Sequence, residues 1–193
     1  MTMRKIVFDI ETKNTFHDVG KKDPALLDIS LVGIHDSETG YYDSFLEDDL
    51  PRLWPILERA DLLIGFNSDH FDIPLLDKYY PGDLTRVRSV DIMKEIRNVL
   101  GRRIGLDAIA EATLGKAKTG NGLDAIRWFK EGAMDKIRDY CLADVALTKE
   151  LYDYARSNGF LKYRDFGEIR EIPLDTSGWE ARERVQMTHT LPF

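Results

Sequence analysis

The sequence predicts an α/β layered domain. Three observations carry that expectation. The chain opens on an alternating strand and continues into a hairpin. A short apolar run, Asp61–Phe66, reads as a strand buried on both faces. Helical periodicity then alternates with strand signals and finally dominates. At 193 residues, 43% hydrophobic and 32% charged, the chain has the ordinary balance of a globular protein with a sizeable core.

Taken in order, Lys5–Thr12 (KIVFDIET) alternates in character. Ile6, Phe8 and Ile10 face one way; Val7, Asp9 and Glu11 face the other. Lys13–Pro24 is polar and reads as a loop. Leu26–His35 and Tyr41–Leu46 read as strands joined by the turn residues Ser37–Gly40, hence a hairpin. Asp49–Ala60 places Leu50, Leu53, Trp54 and Leu57 at helical spacing. After Asp61–Phe66, a short helix over Ile73–Tyr80 stops at Pro81-Gly82. Val87–Val90 reads as a strand. Helices follow near Asp91–Leu100, Leu106–Leu114 and Leu123–Glu131, punctuated by glycines, with Asp91 as a cap. Met134–Ser157 is the longest helix, closed by Asn158-Gly159. One further strand-like piece, Glu168–Leu174, precedes a polar, poorly periodic end.

Several function classes are disfavoured. One cysteine, Cys141, excludes an internal disulfide framework and a cysteine-based zinc site. His17, His35 and His189 lack zinc-like spacing. There is no Walker-type glycine loop and no G-x-S-x-G elbow. With neither a signal peptide nor a membrane-spanning run, a soluble cytoplasmic protein is expected. The net charge of −7 argues against nucleic acid, but it is unevenly spread. Arg86–Lys130, which includes Arg97, Arg103 and Lys118, holds ten basic residues against five acidic ones. That segment either meets a phosphate backbone or presents solvated helix faces.

The acids carry the chemistry. Asp9 and Glu11 are neighbours on one strand face, roughly 6–7 Å apart. Two such carboxylates repel each other; they either sit at a solvated strand end or share a divalent cation such as Mg²⁺ or Mn²⁺. On the long helix, Ile137, Cys141, Thr148, Leu151 and Ala155 share a face, and Asp144 falls in its middle. An ionised acid there costs several kcal/mol unless an arginine pairs with it or a metal binds it. Tyr140, one turn earlier, projects to the same place, as a core aromatic or as part of a site. In GFNSDHFDIPLL, Asp72 reads as an N-cap or as an acid at the end of a core strand, where sites in α/β sheets gather. Asn67 fixes a loop or contacts phosphate; Phe71 anchors the core or stacks on a base. Asp69 and His70 are loop-tip residues without an assigned role.

The ordered set D-x-E (Asp9, Glu11), N-x-x-x-F-D (Asn67, Phe71, Asp72) and Y-x-x-x-D (Tyr140, Asp144) resembles the three exonuclease motifs of the DEDD superfamily of 3′–5′ exonucleases. It is similar to the tyrosine form, since position 139, histidine in the other form, is Asp139. FDIET, GFNSDHFDIPLL, VDIMKEIRNVLGRRIGLDAIAEATLG and YCLADVALTKEL look most like the proofreading exonuclease domain of family B DNA polymerases. The resemblance covers about Arg4 to Ala155. It implies a ribonuclease H-like fold, a mixed sheet with one antiparallel strand flanked by helices, over residues 1–157, with 158–193 as a C-terminal extension. It implies two divalent metal ions, Mg²⁺ or Mn²⁺, held by Asp9, Glu11, Asp72 and Asp144. Tyr140 matches the tyrosine that orients the attacking water; a phenol with an ordinary pKa of about 10 does so by hydrogen bonding. Thr12, Asn67 and Phe71 are the candidate substrate contacts. The expected substrate is the 3′ end of single-stranded nucleic acid, DNA favoured. With no polymerase domain in the sequence, proofreading in cis is not expected. The competing expectation is a non-catalytic ribonuclease H-like module or partner subunit, since a fold can persist without its chemistry. A third is an enzyme of small nucleotides or short oligoribonucleotides.

Overall fold

The computed structural model describes residues 3–116, 120 and 122–181. Lys118, His189 and the polar end of the chain lie outside the described residues. Five strands form the main sheet: β1 (Lys5–Thr12), β2 (Ile29–Asp36), β3 (Tyr42–Leu46), β4 (Leu62–Gly65) and β5 (Ser89–Asp91), in the order β3-β2-β1-β4-β5. β2 runs antiparallel to both neighbours, whereas β4 is parallel to β1 and to β5. This is the mixed sheet with one antiparallel strand expected of a ribonuclease H-like fold. The hairpin β2–β3 forms as its turn chemistry indicates.

The helices are α1 (Phe16–Val19), α2 (Leu50–Leu57), α3 (Asp72–Asp77), α4 (Ile92–Leu100), α5 (Leu106–Leu114), α6 (Gly122–Lys130) and α7 (Met134–Asn158). The alternation of β1 divides the interior in two. Ile6, Phe8 and Ile10 enter a core closed by Leu50, Leu53 and Leu57 of α2 and Ile73, Leu75 and Leu76 of α3. Val7 enters the opposite core, with Leu62, Ile64 and Val90 of the sheet and residues of α4, α5 and α7. Each such buried aliphatic side chain contributes about 1.5–3 kcal/mol of burial free energy. β1 is therefore fixed from both sides, which is what allows it to carry two acids at one end.

The helix read over Ile73–Tyr80 ends at Asp77 and the strand read from Leu26 begins at Ile29; two further departures add structure. The Lys13–Pro24 loop contains the single turn α1, because Thr15 and Asp18 form a reciprocal capping box. Residues 160–165 form a strand, β6 (Phe160–Asp165), paired antiparallel with β7 (Glu168–Pro173) in a separate two-stranded sheet. Lys162 and Arg164 lie on its outer face, while Leu161 joins Ile172, Leu174 and Trp179 in the Val7 core. Beyond β7, Trp179 stacks on Tyr152 of α7 at 5.4 Å. Glu180 accepts hydrogen bonds from Lys5 Nζ at 2.9 Å and the Tyr152 hydroxyl at 2.8 Å. Among the described residues, no helix is long and apolar enough to cross a membrane.

Candidate active site

A cleft of about 580 Å³ opens where the C-terminal ends of β1 and β4 meet α6 and α7. Its lining includes all eight residues singled out from the sequence: Asp9, Glu11, Thr12, Asn67, Phe71, Asp72, Tyr140 and Asp144. They arrive on three separate segments, so the convergence is a property of the fold and not of local sequence.

β1 supplies the first pair. Asp9 lies opposite Gly33 of β2 and Glu11 opposite Leu31; the register then shifts between Glu11 and Thr12. Asp9 is half-buried and Glu11 buried, so this is not a solvated strand end. Thr12 is buried, and its hydroxyl donates to the Asn14 carbonyl at 2.9 Å, which fixes the turn at the cleft edge.

α7 supplies the opposite wall. It lies across β1 and β2, with its Ile137–Ala155 stripe turned inward. Asp144 is 3% exposed and Tyr140 is also buried. Tyr140 meets Trp128 of α6 edge-on at 5.9 Å. α7 packs tightly over Gly33: a Cβ there would stand 2.8 Å from Cys141 Sγ, 3.2 Å from Leu142 Cδ2 and 3.3 Å from Val145 Cγ2. A residue with a side chain at position 33 would hold the helix away from β1.

Cys141 belongs to the inward stripe of α7 but is not among the site residues the sequence suggests. It sits on the Asp144 stripe one turn earlier, and its Sγ lies 3.6 Å from Asp9 Oδ2 and 3.4 Å from the Asp9 carbonyl oxygen. Burial pushes its thiol well above the usual range. The charges of Asp9, Glu11 and Asp144 push it the same way. One ligand atom each from Asp9, Glu11 and Cys141 fits within a mutual 4.8 Å. The helical stripe was the available signal, since it places Cys141 beside Asp144.

Asp72 is the first residue of α3, not its cap. Phe71 holds the cap position and makes no side-chain capping bond. The Asp72 carboxyl is buried, and burial raises it well above the carboxylate range; the charges of Asp9 and Asp91 add to this, against the backbone groups of Asp72 and Ile10. Phe71 packs edge-on to Phe16 at 6.0 Å and joins the Ile6 core at its margin, with one side on the cleft.

The Asn67 backbone fixes a loop. It is left-handed, at φ 70°, and its carbonyl accepts from the N–H groups of His70 and Phe71. Asp91 organises this loop as well as capping α4. Its carboxylate accepts from the N–H groups of Asn67 at 2.8 Å, Asp69 at 3.1 Å and Lys94 at 3.2 Å. Burial nevertheless leaves its pKa raised. Asp69, which had no assigned role, accepts from Ser89 Oγ at 2.5 Å and Lys94 Nζ at 2.6 Å.

The comparisons with known proteins agree with this architecture. A family model described as RNase_H superfamily matches residues 6–156. No curated protein matches the chain. Among solved structures, the chain is similar to the family B DNA polymerase of the hyperthermophilic archaeon Pyrobaculum calidifontis, with a TM-score of 0.62 and 21% sequence identity. That match takes in 81% of this chain and 25% of the polymerase chain.

Proposed function

The chain belongs to the RNase_H superfamily, and from that premise we propose that it is a metal-dependent 3′–5′ exonuclease acting on the ends of single-stranded nucleic acid, DNA favoured. The observation that carries this reading is the convergence of Asp9, Glu11, Asp72, Tyr140 and Asp144 on one cleft from three separate segments.

The residues fit a divalent metal. The donors are hard carboxylate oxygens, the choice of Mg²⁺ and Mn²⁺. Asp9 and Glu11 already bring ligand atoms within one ion's reach. Buried like charges such as Asp72 beside Asp9 are costly without a cation among them. We assign Asp9, Glu11, Asp72 and Asp144 as the holders of two such ions. When bound, the ions neutralise charge on the phosphate, activate water and stabilise the leaving oxygen. The protein's own groups do the rest. β1 and α7 hold the carboxylates in register around the reacting phosphate. Tyr140, its ring braced by Trp128, lines the cleft and has the role of orienting a water by hydrogen bonding. Thr12, Asn67 and Phe71 border the terminal nucleotide, with Phe71 offering a ring face or edge to its base.

The test uses 5′-labelled single-stranded DNA and RNA of one sequence, each with Mg²⁺ or Mn²⁺ and with D144A as the control. A ladder shortening from the 3′ end, lost in D144A, is the expected result and reveals the preferred sugar. Equal cleavage by D144A would overturn the assignment. Folded protein with neither a ladder nor metal binding would instead indicate a non-catalytic module.

A further inference from the structure

A second cavity, about 610 Å³, adjoins the cleft and shares Asn67 with it. Its walls come from the loop after β4 and from α4 and the turn beyond it: Asp69, His70, Lys94, Arg97, Asn98 and Arg103 among them. Nothing in the proposed chemistry uses this groove. Its charge is unusual for this protein. Every other described arginine bonds a carboxylate or a backbone carbonyl, as Arg4 does Asp36 and Arg59 the Pro55 carbonyl. Arg97 and Arg103 have no such side-chain partner among the described residues, and both are exposed. The acids of the groove are already engaged. Asp69 is taken by Lys94 and Ser89, and Asp91 by three backbone N–H groups. The groove thus offers an anion two planar guanidinium groups whose charge is not spent internally.

We infer that this groove binds the phosphodiester backbone of the strand upstream of its 3′ end, with Arg97 and Arg103 each holding a phosphate while the terminal nucleotide occupies the acidic cleft. The inference rests on the nuclease reading and gives it a length requirement. The strand passes from one cavity to the other at Asn67, where the two linings meet. This division answers an electrostatic difficulty, because a cleft built of carboxylates repels a polyanion and the attraction has to come from beside it. Guanidinium groups suit phosphate for their paired donors, and each phosphate neutralised releases counterions.

The experiment measures binding and not cleavage, by fluorescence anisotropy of 5′-labelled oligothymidylates in EDTA, using the full chain. Two lengths are compared, three and twelve nucleotides, with a salt series around 100 mM KCl. The double variant R97Q/R103Q is expected to bind the twelve-mer at least about tenfold more weakly, with the salt slope shallower by about 1.4. The three-mer should be unaffected, and R59Q should match the wild type on both lengths. An unchanged twelve-mer affinity and slope in folded R97Q/R103Q would overturn the proposal. So would an equal loss on both lengths, an equal loss in R59Q, or a wild type that does not bind the twelve-mer. Because cleavage is not read, length-dependent binding without any ladder would overturn the exonuclease reading while leaving the groove in place.

Discussion

Gly33 on β2 and Cys141 on α7 are in contact across the sheet–helix interface, so close that a Cβ on the glycine would lie 2.8 Å from the sulfur. Gly33 is also the residue paired with Asp9. One van der Waals contact therefore sets the distance between the strand that carries Asp9 and Glu11 and the helix that carries Tyr140 and Asp144.

The G33A substitution is expected to overpack this contact at about 1–3 kcal/mol. Nuclease activity should fall further than stability does, because α7 moves away from β1. C141A in the same chain frees the space, so G33A/C141A should recover stability relative to G33A. Urea melts of the four proteins in the cycle measure the coupling. Additive single-variant effects would show that the two residues do not meet.

Metal should stabilise the fold. On the proposed assignment the carboxylates hold Mn²⁺ in the native state alone. At one hundred times its dissociation constant an ion adds about 2.7 kcal/mol. The melting temperature is expected to rise from EDTA to Mn²⁺ and to rise much less in D9A. Identical melts with and without Mn²⁺ in the wild type would remove the metal assignment.

The Arg4–Asp36 pair should set an acid-side stability limit. Arg4 Nε and a terminal guanidinium nitrogen reach the two Asp36 oxygens at 3.2 and 2.6 Å, both side chains nearly buried. Burial by itself raises the Asp36 carboxyl. The Arg4 hydrogen bond, the Glu38 N–H and the Arg4 charge outweigh it and hold the group below its ordinary range. A depressed carboxyl stabilises above its unfolded pKa, and that stability is lost as pH falls through the folded value. R4Q leaves the buried carboxylate without its charged partner and is expected to cost about 3–5 kcal/mol at neutral pH. The deficit should shrink as pH falls through the depressed Asp36 value. A deficit that does not change with pH would show that the loss comes from packing.

The segment after β7 should be required for stability. Trp179 is buried in the Val7 core and stacks on Tyr152. W179A is expected to cost about 3–5 kcal/mol, measured by chemical denaturation. No change in midpoint would mean that residues 158–193 form an extension separable from residues 1–157.

How much of this was legible in the sequence depended on how local each cause was. β1 and α5 have the bounds their periodicity indicates, and α7 runs one residue further, because alternation and the 3.6-residue repeat are written within one element. β6 escaped notice, since Lys162 and Arg164 on its outer face masked the inward Leu161 and Tyr163. The acids of the site were visible as misfits: Asp144 interrupts an apolar stripe, and Asp9 and Glu11 alternate with core residues. Their meeting point was not visible in the pattern itself, because sheet order and helix crossing bring them together. Asp91 read as a cap and is one. Its second task, holding the Asn67–Asp69 loop, joins residues far apart in sequence and leaves no local trace.

That second task has a mechanical consequence. One carboxylate ties the loop bordering the acidic cleft to the first turn of the helix walling the basic groove. The two compartments consequently share one hydrogen-bonded border at the Asn67–Asp69 loop. A strand that advances by one nucleotide after each cut would slide over a track of fixed gauge, and the spacing between where it is gripped and where it is cut would be the same at every step.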